Sequence, residues 1–302
     1  MNALDNTVLH NSSSEVKTAD AKNAPLTDWV GRTQTVTGCL SPDVAATVHA
    51  TLAPSDTACP QDGEPMPALW HWYAFPPIVG TEALGFDGHP KLGGFMPPVP
   101  FERRMWASGR LTFFNDLRIG EPIRKTSTIV SVDEKSGSTG GMVFVELDIE
   151  LSGADGLAVR ETQTIVYLPI APEFTPPPKK PAPGEDMVFN KLHPVSTVLL
   201  FRYSAITFNA HRIHYDLPYA QEIEHYPGLV VHGPLQANLL MAEATRWKDR
   251  RPDRFSFRGV HPMFHDCDMH LRATAGAEGA LNMCTVAPGG HMCMTAKAVW
   301  ED

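Results

Sequence analysis

The sequence predicts an α+β protein made of two similar halves, each an antiparallel sheet wrapped around a central helix. Three observations indicate this fold. A proline-rich segment, residues 172–186, divides the chain of 302 residues. Short motifs recur on both sides of it, and each half shows a helical pattern early and a run of strand patterns later. Helices set apart from antiparallel strands in this way are typical of α+β folds.

The proline-rich segment is the clearest boundary in the chain. Six of its first twelve residues are proline, which fixes φ and removes a backbone donor, so neither a helix nor a central strand can continue through it. We therefore predict a first half over residues 28–171, a linker over 172–186 and a second half over 187–302. Residues 1–27 are polar, carry both signs of charge and lack an apolar signal-peptide core, which predicts a flexible tail.

The internal repeat is short. Three residues of the segment GRLTFFND return in GVHPMFHD at an offset of 150 residues, so that Gly109, Phe114 and Asp116 match Gly259, Phe264 and Asp266. Three matches alone are weak evidence. The order of the elements around them repeats as well, which favours two copies of one structural unit.

The predicted elements follow in order along each half. In the first half SPDVAATVHATLA predicts a helix with Ser41 as N-cap and Pro42 as its first residue. The segments PIRKTSTIVSVDE, MVFVELDIELSG and AVRETQTIVYLPI predict strands by their β-branched alternation. In the second half STVLLFRYSAI predicts an apolar strand and residues 234–247 the central helix, followed by strands in MHLRATAG, LNMCTV and MCMTAKAVW.

Two stretches of the first half allow a role at a binding site. The aromatic stretch LWHWYAFPP is either a core strand or part of the wall of a binding site. Residues 88–106 are too rich in glycine and proline for a strand and predict a long loop over a binding site.

Composition limits the partners and the compartment. The formal net charge of -9 argues against nucleic acid or an anionic membrane as a partner, because both need clustered basic residues. Five scattered cysteines without a CxxC pair indicate neither a disulfide framework nor a zinc site, which fits the cytoplasm. No apolar run approaches the ~18 residues of a membrane span. We expect a cytoplasmic protein that acts on a small molecule.

One connector concentrates the polar chemistry. The segment FNAHRIHYD places Asn209, His211 and His214 within six residues, and VVHGPL follows with His232 and Gly233. An imidazole can take and return a proton near neutral pH. A helix N-terminus at Gly233 would favour a carbonyl oxygen that gains negative charge. The same residues also fit a polar loop before an ordinary helix, and a metal site would need ligands that the sequence does not place, so no metal is predicted.

At these residues the sequence resembles a known family. FNAHRIHYDLPYA followed by YPGLVVHGPL is similar to the signature of hot-dog-fold enoyl-thioester hydratases. The stretch resembles more narrowly the double-hot-dog, MaoC-like branch with type 2 hydroxyacyl-thioester dehydratases and mesaconyl-CoA and itaconyl-CoA hydratases. The strongest match covers residues 201–240, and a weaker similarity runs from about residue 28 to the C-terminus. The resemblance implies a double hot-dog fold and a hydro-lyase acting on an acyl-CoA.

The resemblance also implies roles for individual residues. In the family a carboxylate and a histidine five residues later hold the water and move its proton, which maps the histidine onto His214 and the carboxylate onto Asn209. Asn209 cannot ionise, so it can orient a water but cannot take its proton. We expect His214 to be the acid/base, Asn209 to hold the water and the Gly233 N–H to bind the thioester oxygen.

Neighbouring residues are candidates for binding the substrate. Arg212 can pair with a substrate carboxylate, which would indicate a dicarboxylic acyl group such as mesaconyl or itaconyl. The further candidates are His211, Tyr215 and His232 for the substrate, and Arg103 and Arg104 for the phosphates of CoA. Asp216 is expected to cap a turn or the short helix LPYAQEI. The first half lacks the signature, so we expect it to form the acyl and CoA tunnel without catalytic residues.

The favoured function is the reversible hydration of an enoyl-CoA to a hydroxyacyl-CoA, with mesaconyl-CoA or itaconyl-CoA giving citramalyl-CoA. The alternatives are a 3-hydroxyacyl-thioester dehydratase of fatty-acid metabolism, a hot-dog acyl-CoA thioesterase and a degenerate acyl-binding module. A thioesterase usually needs a carboxylate to activate water, which Asn209 cannot replace. No external cofactor is implied, because the thioester and the oxyanion site acidify the α-proton. Both a monomer and a homodimer fit the sequence.

Overall fold

The computed structural model describes residues 24–53, 57–137, 140–177, 181–265 and 268–301. Within these residues the strands are β1 Thr33–Gly38, β2 Arg103–Phe113, β3 Ile123–Gly137, β4 Gly140–Gly153, β5 Gly156–Leu168, β6 Met187–His193, β7 Arg254–Gly259, β8 Met269–Ala275, β9 Leu281–Val286 and β10 Met292–Val299. The α-helices are α1 Pro42–Leu52, α2 Thr197–Thr207, α3 Leu217–Glu222 and α4 Gly233–Lys248. None of the helices in this part of the chain is long and apolar enough to cross a membrane.

The ten strands form one antiparallel sheet in the order β1-β3-β4-β5-β2-β7-β10-β9-β8-β6. Each half contributes five of them, and the strand order of the second half mirrors that of the first. The predicted α+β class is confirmed. The sheets of the two halves are continuous, because β2 and β7 pair where the halves meet.

The pairing of β2 with β7 accounts for part of the internal repeat. Gly109 lies on β2 opposite Phe257 of β7, and Gly259 ends β7 at the equivalent position of the second half. Gly109 has room for no side chain, since a Cβ there would lie 2.5 Å from Cε1 of the Phe257 ring. The last residue of the repeat, Asp266, lies outside the described residues.

The predicted central helix of the second half is confirmed as α4. It begins one residue earlier than predicted, at Gly233, and carries Pro234 in its first turn, where a proline costs no helical hydrogen bond. Leu235, Leu239 and Leu240 are buried, and the helix packs against β7, β9 and β10. The strands of the second half therefore wrap around α4.

The apolar segment before the histidine motif is a helix, α2, and the prediction of a strand there is wrong. Ser196 caps it by accepting a hydrogen bond from Leu199 N at 3.1 Å. Leu200, Tyr203 and Ser204 are buried, at the spacing of three and four residues that belongs to one helix face. An apolar run of this length is compatible with either element by pattern alone, so the capping serine was the informative signal.

The first half uses its helix differently. α1 forms as predicted, with Ser41 Oγ accepting from Val44 N at 3.3 Å, and it packs against α2. The aromatic stretch is a 3-10 helix, Trp70–Tyr73, and not a strand. Trp72 lies edge-on against Trp106 of β2 and donates to the buried Glu161 of β5 at 3.1 Å. Aromatic side chains therefore pack on the strands of the first half.

Packing begins before the predicted boundary at residue 28. Ala24 and Leu26 pack against the main core, and Trp29 is buried in the 3-10 helix Leu26–Trp29. The remainder of the predicted tail, residues 1–23, lies outside the described residues. In the linker, the described residues form neither helix nor strand until β6 begins.

Candidate active site

The histidine motif lies on the turn that follows α2. Phe208 ends α2 in a left-handed conformation with φ 49°, and the chain turns through Asn209 into a 3-10 helix, Arg212–His214. Asp216 then caps α3, as predicted, by accepting a hydrogen bond from Tyr219 N at 3.2 Å. The candidate residues are thus carried by a turn and a short 3-10 helix that lead into the capped helix α3.

His214 is buried, and the backbone fixes one of its ring nitrogens. Nδ1 lies 2.7 Å from Val230 O, and because a carbonyl oxygen only accepts, Nδ1 carries the hydrogen and Nε2 holds the lone pair. Burial lowers the pKa of His214 from 6.5 to about 4, against the opposing effect of this hydrogen bond. The ring is therefore neutral at pH 7, with Nε2 in the form that a general base needs.

The ring of His214 stacks on that of His232, the N-cap residue of α4. Their centroids are 3.6 Å apart, with 18° between the ring planes. His232 Nε2 lies 2.9 Å from Ser204 Oγ on α2. His232 is only 1% exposed and supports His214 from the protein side, and its predicted contact with the substrate stays a prediction.

Gly233 follows as the first residue of α4. An amide at this position has no acceptor within the helix and lies at the positive end of the dipole. The residue is partly exposed. A Cβ there would meet only Met294 Cε at 3.8 Å and Trp106 O at 3.9 Å. The position therefore combines a free helical amide with room for a ligand oxygen, next to the stacked histidines.

Asn209 helps to shape the turn that carries the motif. Its Oδ1 accepts a hydrogen bond from His211 N at 3.0 Å. The amide oxygen therefore has one partner in the turn and keeps a second lone pair, and Nδ2 is also available to a water. The water-holding role of Asn209 stays a prediction.

His211 lies within a row of four imidazoles. Its ring centroid is 4.0 Å from that of His89 and 5.3 Å from that of His214, and His214 in turn stacks on His232. Burial, followed by the charges of neighbouring histidines, lowers the pKa of His211 and of His232 well below the ordinary value. His211 is 4% exposed, and its contact with the substrate stays a prediction.

Sequence reasoning missed His89 and its partner Asp87. Both lie in the first half, which was expected to supply no catalytic residue. His89 Nδ1 lies 2.8 Å from Asp87 Oδ2, and Arg212 N donates to Asp87 O at 2.9 Å. The available signal was an aspartate two residues before a histidine in a glycine-rich loop, but nothing in the sequence places that loop beside His211.

The guanidinium of Arg212 is already paired. Its Nε and Nη2 lie 2.9 and 2.8 Å from Asp216 Oδ2, and Nη1 donates to Phe86 O at 3.1 Å. The side chain therefore joins the motif to the loop of the first half, and its binding of a substrate carboxylate stays a prediction. Tyr215, a further predicted contact, is 45% exposed and donates to Ala210 O at 3.1 Å.

Arg103 and Arg104 have different surroundings. Arg103 Nε lies 2.7 Å from Glu224 Oε2, with the two side chains 12% and 1% exposed, so Arg103 forms a buried bridge between the halves, and its contact with CoA phosphate stays a prediction. Arg104 forms no ion pair within 4.0 Å in the described part of the chain. Together with burial, its charge lowers the pKa of His89 and His211, which places Arg104 near the imidazole row.

Among the described residues, two groups of side chains have the chemistry to hold a metal ion. Their donor atoms lie within 4.8 Å of one another in each of the sets Asp87, His89, His211 and His261, His291, Cys293. In the first set Asp87 already accepts the hydrogen of His89, and the nearby charge of Arg104 opposes a divalent cation. The second set surrounds the start of β10, outside the imidazole row. The first set therefore fits proton chemistry better than metal binding.

Comparison with known proteins identifies the family. The model for hydroxyacyl-thioester dehydratase type 2 matches residues 69–265. The chain belongs to this family. It is 42% identical over 271 residues to mesaconyl-C(4)-CoA hydratase of Chloroflexus aurantiacus, covering 89% of this chain and 95% of that protein. It is 26% identical over 224 residues to a mitochondrial hydroxyacyl-thioester dehydratase type 2 of Schizosaccharomyces pombe, covering 65% and 73% of the two chains. The present chain, as a member of the type 2 dehydratase family, is therefore a hydro-lyase.

Solved structures share its fold. HtdX of Mycobacterium tuberculosis superimposes with a TM-score of 0.63 at 17% identity, over 89% of this chain and 100% of that one. A MaoC-like dehydratase from Phytophthora capsici gives 0.67 at 11% identity, over 91% and 98%. A Mycobacterium tuberculosis protein with a double hotdog fold gives 0.58 at 14% identity, over 89% and 95%. The predicted double hot-dog fold is confirmed for this type 2 dehydratase family member.

Proposed function

We propose that this hydro-lyase adds water reversibly to the α,β double bond of a short dicarboxylic acyl-CoA such as mesaconyl-C4-CoA, giving citramalyl-CoA. The observation that carries the proposal is the fixed tautomer of His214, whose Nδ1–H donates to Val230 O at 2.7 Å and leaves Nε2 as a base. The acyl group is taken from the hydratase that is 42% identical to this chain.

Hydration begins with the proton transfer to His214. Its Nε2 takes a proton from a water that Asn209 orients, and the water oxygen forms a bond to the β-carbon of the acyl group. The electrons of the double bond move onto the thioester oxygen. This oxygen gains negative charge where the Gly233 N–H and the dipole of α4 stabilise it.

The reaction ends when the α-carbon takes a proton. The protonated Nε2 of His214 returns its proton to the α-carbon, and the electrons on the thioester oxygen re-form the carbonyl. One water is added, and no proton is gained or lost. Burial favours this return, because it lowers the pKa of His214 to about 4 and the imidazolium readily gives up its proton.

The second carboxylate of the acyl group is proposed to bind Arg104. Arg212 is paired with Asp216 and Arg103 with Glu224, whereas Arg104 lies near the imidazole row and has no carboxylate within 4.0 Å in the described residues. A guanidinium binds a carboxylate through two parallel hydrogen bonds. Arg104 is thus the arginine that a dicarboxylic substrate can use.

A 3-hydroxyacyl-thioester dehydratase acting on monocarboxylic chains is the second candidate. The matching family model and the relatives from Schizosaccharomyces pombe and Saccharomyces cerevisiae, 26% and 24% identical, favour it. The chemistry of His214 in reverse would serve this reaction, so the two candidates differ in the acyl group. A thioesterase is disfavoured because Asn209 cannot act as the carboxylate that activates water.

We further infer a cytoplasmic enzyme that needs no external cofactor and binds its acyl group as a CoA thioester. The thiols of Cys39, Cys59 and Cys284 are free, which suits a reducing compartment. A monomer and a homodimer both remain compatible with the double hot-dog chain, and light scattering on the purified protein measures which one forms.

The test is the loss of enoyl-thioester absorbance with mesaconyl-C4-CoA, itaconyl-CoA and crotonyl-CoA. We expect the wild type to hydrate mesaconyl-C4-CoA, and His214→Ala to lower kcat by about 10²–10⁴-fold, the usual contribution of a positioned acid/base. His49→Ala is the matched control, since His49 lies on α1 and contacts Thr57 at an exposed site. A His214→Ala variant with the wild-type rate would overturn the assignment of the base.

A further inference from the structure

The loop that carries Asp87 and His89 is pressed against the histidine motif. Arg212 N donates to Asp87 O at 2.9 Å. Gly88 has φ +89°, and a Cβ at this residue would lie 1.8 Å from Ala210 O. Because any other residue would clash with the motif backbone, the glycine lets the loop approach closely enough to bring its side chains to the site.

Asp87 fixes the ring of His89. Its Oδ2 lies 2.8 Å from His89 Nδ1 and its Oδ1 accepts from His89 N at 3.0 Å. The side chains are only 17% exposed for His89 and 13% for Asp87. A carboxylate bound to Nδ1–H holds the imidazole in the tautomer that leaves Nε2 as an acceptor and makes that nitrogen more basic.

His89 faces the same group of rings as the proposed base. Its centroid lies 4.0 Å from that of His211, and His89 is close enough to His214 to lower the pKa of that residue. The charged and titratable groups around His89 are Asp87, Arg104 and His211. Burial is the main cause that lowers the pKa of His89, with Arg104 acting in the same direction and Asp87 opposing both. His89 is therefore a neutral acceptor at pH 7.

The attacking water needs a second acceptor besides His214. A water that attacks a carbon can donate two hydrogens, and Nε2 of His214 accepts one. The oxygen of Asn209 already accepts from His211 N at 3.0 Å, so one lone pair remains on it, and its Nδ2 can only donate. His89, which Asp87 holds as a neutral acceptor, is a further group beside the motif that can take the second hydrogen.

We propose that His89 is a catalytic residue of the first half, whose Nε2 accepts the second hydrogen of the attacking water, and that Asp87 is its positioning residue. The inference rests on the proposed hydration at His214. His214 takes one proton of the water, and the hydrogen held by His89 stays on the oxygen and becomes the hydroxyl hydrogen of the product. The bond formed is from oxygen to the β-carbon, and no net proton is exchanged. His89 and Asp87 thus replace the carboxylate that is absent at residue 209.

Three variants test this role in the full-length protein with mesaconyl-C4-CoA and crotonyl-CoA. We expect His89→Ala to lower kcat by about 10²-fold with KM changed by less than about 3-fold, because a positioned proton acceptor contributes to the chemical step. Asp87→Asn is expected to lower kcat while Asp87→Glu recovers part of it. Added imidazole is expected to raise the rate of His89→Ala and not that of His49→Ala, a response that a purely structural role would not give.

The outcomes separate this inference from the proposed function. If the wild type hydrates neither thioester, the proposed function fails. If His214→Ala is inactive but His89→Ala keeps kcat within about 3-fold of the wild type, or gains nothing from imidazole at equal melting temperature, the role of His89 is overturned alone. Loss of wild-type activity with a chelator and its recovery with Zn²⁺ would overturn the role as well, because Asp87, His89 and His211 would then be metal ligands.

Discussion

His214 and His232 lie with their rings stacked, the centroids 3.6 Å apart and the planes 18° apart. His232 is the N-cap of α4, so the stack joins the proposed base to the helix whose first amide, at Gly233, is the proposed oxyanion donor. Both rings are buried and hold depressed pKa values, because a cation on either one would be cut off from water and close to the other. One packed pair therefore sets the position of the base relative to the oxyanion donor.

The hydrogen bond between Ser204 and His232 is expected to support this stack. Ser204 Oγ lies 2.9 Å from His232 Nε2 in a buried site, so Ser204→Ala leaves a ring nitrogen without a partner. We expect a loss of about 1–3 kcal/mol in the free energy of unfolding, the usual cost of a buried unsatisfied polar group. We also expect a fall in kcat, since the ring beneath His214 loses its anchor.

Urea unfolding and the hydration assay measure both effects of Ser204→Ala. Ser131→Ala is the control, because Ser131 Oγ donates to Asp133 Oδ2 at 3.0 Å on the surface, and exposed substitutions usually change stability by less than about 0.5 kcal/mol. Equal stability of Ser204→Ala and Ser131→Ala would contradict a supporting role for the Ser204 hydroxyl.

Much of the fold followed from local signals in the sequence. Ser41 and Pro42 marked the start of α1, and alternation marked the strands, because capping and period act over a few residues. The prediction of a strand over α2 was wrong because an apolar run fits both a strand and a helix. The N-cap at Ser196 is the local signal that indicates the helix. The 3-10 helix of the aromatic stretch was also not predicted, because the packing of Trp72 on Trp106 joins residues far apart in the chain.

The site was predictable only where its residues are neighbours in sequence. His214, Asn209 and Gly233 share one connector, and the structure brings them to the turn and helix start that the motif implied. Asp87 and His89 lie more than a hundred residues away, and only the close approach at Gly88 shows that they join the motif. The sequence also does not show which arginines already have carboxylate partners, as Arg103 and Arg212 do.

Arg104 is expected to select dicarboxylic substrates. Arg104→Gln removes the proposed partner of the second carboxylate, so KM for mesaconyl-C4-CoA should rise by about 10-fold or more, in line with a lost hydrogen bond to a charged group of ~1.5–3 kcal/mol. KM for crotonyl-CoA, which has no second carboxylate, should stay nearly constant. Steady-state kinetics on both thioesters measures the ratio.

Arg212→Gln is the matched control for this selection. Arg212 lies in the motif but is paired with Asp216, so its loss should affect both thioesters alike. If Arg212→Gln changes the ratio of the two KM values and Arg104→Gln does not, the second carboxylate binds Arg212, as the sequence predicted, and its proposed binding to Arg104 is wrong.

The bridge between Arg103 and Glu224 is expected to act on stability and not on CoA binding. Glu224 is 1% exposed at the side chain, so Glu224→Gln leaves the Arg103 charge buried without its partner. We expect a loss of about 3–5 kcal/mol in the free energy of unfolding, the usual effect of breaking a buried pair. Glu146→Gln breaks the exposed pair with Arg110 and should cost less than about 1 kcal/mol.

Urea unfolding compares the two glutamate variants, and a double variant separates stability from CoA binding. Arg103→Met with Glu224→Leu removes both charges and should recover most of the lost stability, because no buried charge is left alone. A double variant that is as stable as the wild type but has a strongly raised KM for every CoA thioester would contradict a purely structural role and support the binding of CoA phosphates by Arg103.

The imidazole row is expected to make the protein less stable as the pH falls below 6.5. The pKa of His214 is about 4 in the folded protein because of burial, below the ordinary 6.5, so between these values the unfolded chain binds a proton that the folded one does not. Stability therefore decreases with falling pH in this window, by about 1.4 kcal/mol per pH unit for each such histidine. His89, His211 and His232 shift in the same direction.

Urea unfolding at pH 7.5, 6.0 and 5.0 measures this dependence, in a range where the lowered carboxyl groups Asp87 and Asp216 remain ionised. His214→Gln removes one of the protons taken up on unfolding. The slope of the free energy of unfolding against pH should therefore fall by about 1.4 kcal/mol per pH unit, whatever the variant's stability at pH 7.5. A slope in His214→Gln equal to that of the wild type would mean that His214 is already protonated in the folded protein. It could not then be the resting base, since an imidazolium has no lone pair at Nε2 to take the proton of water.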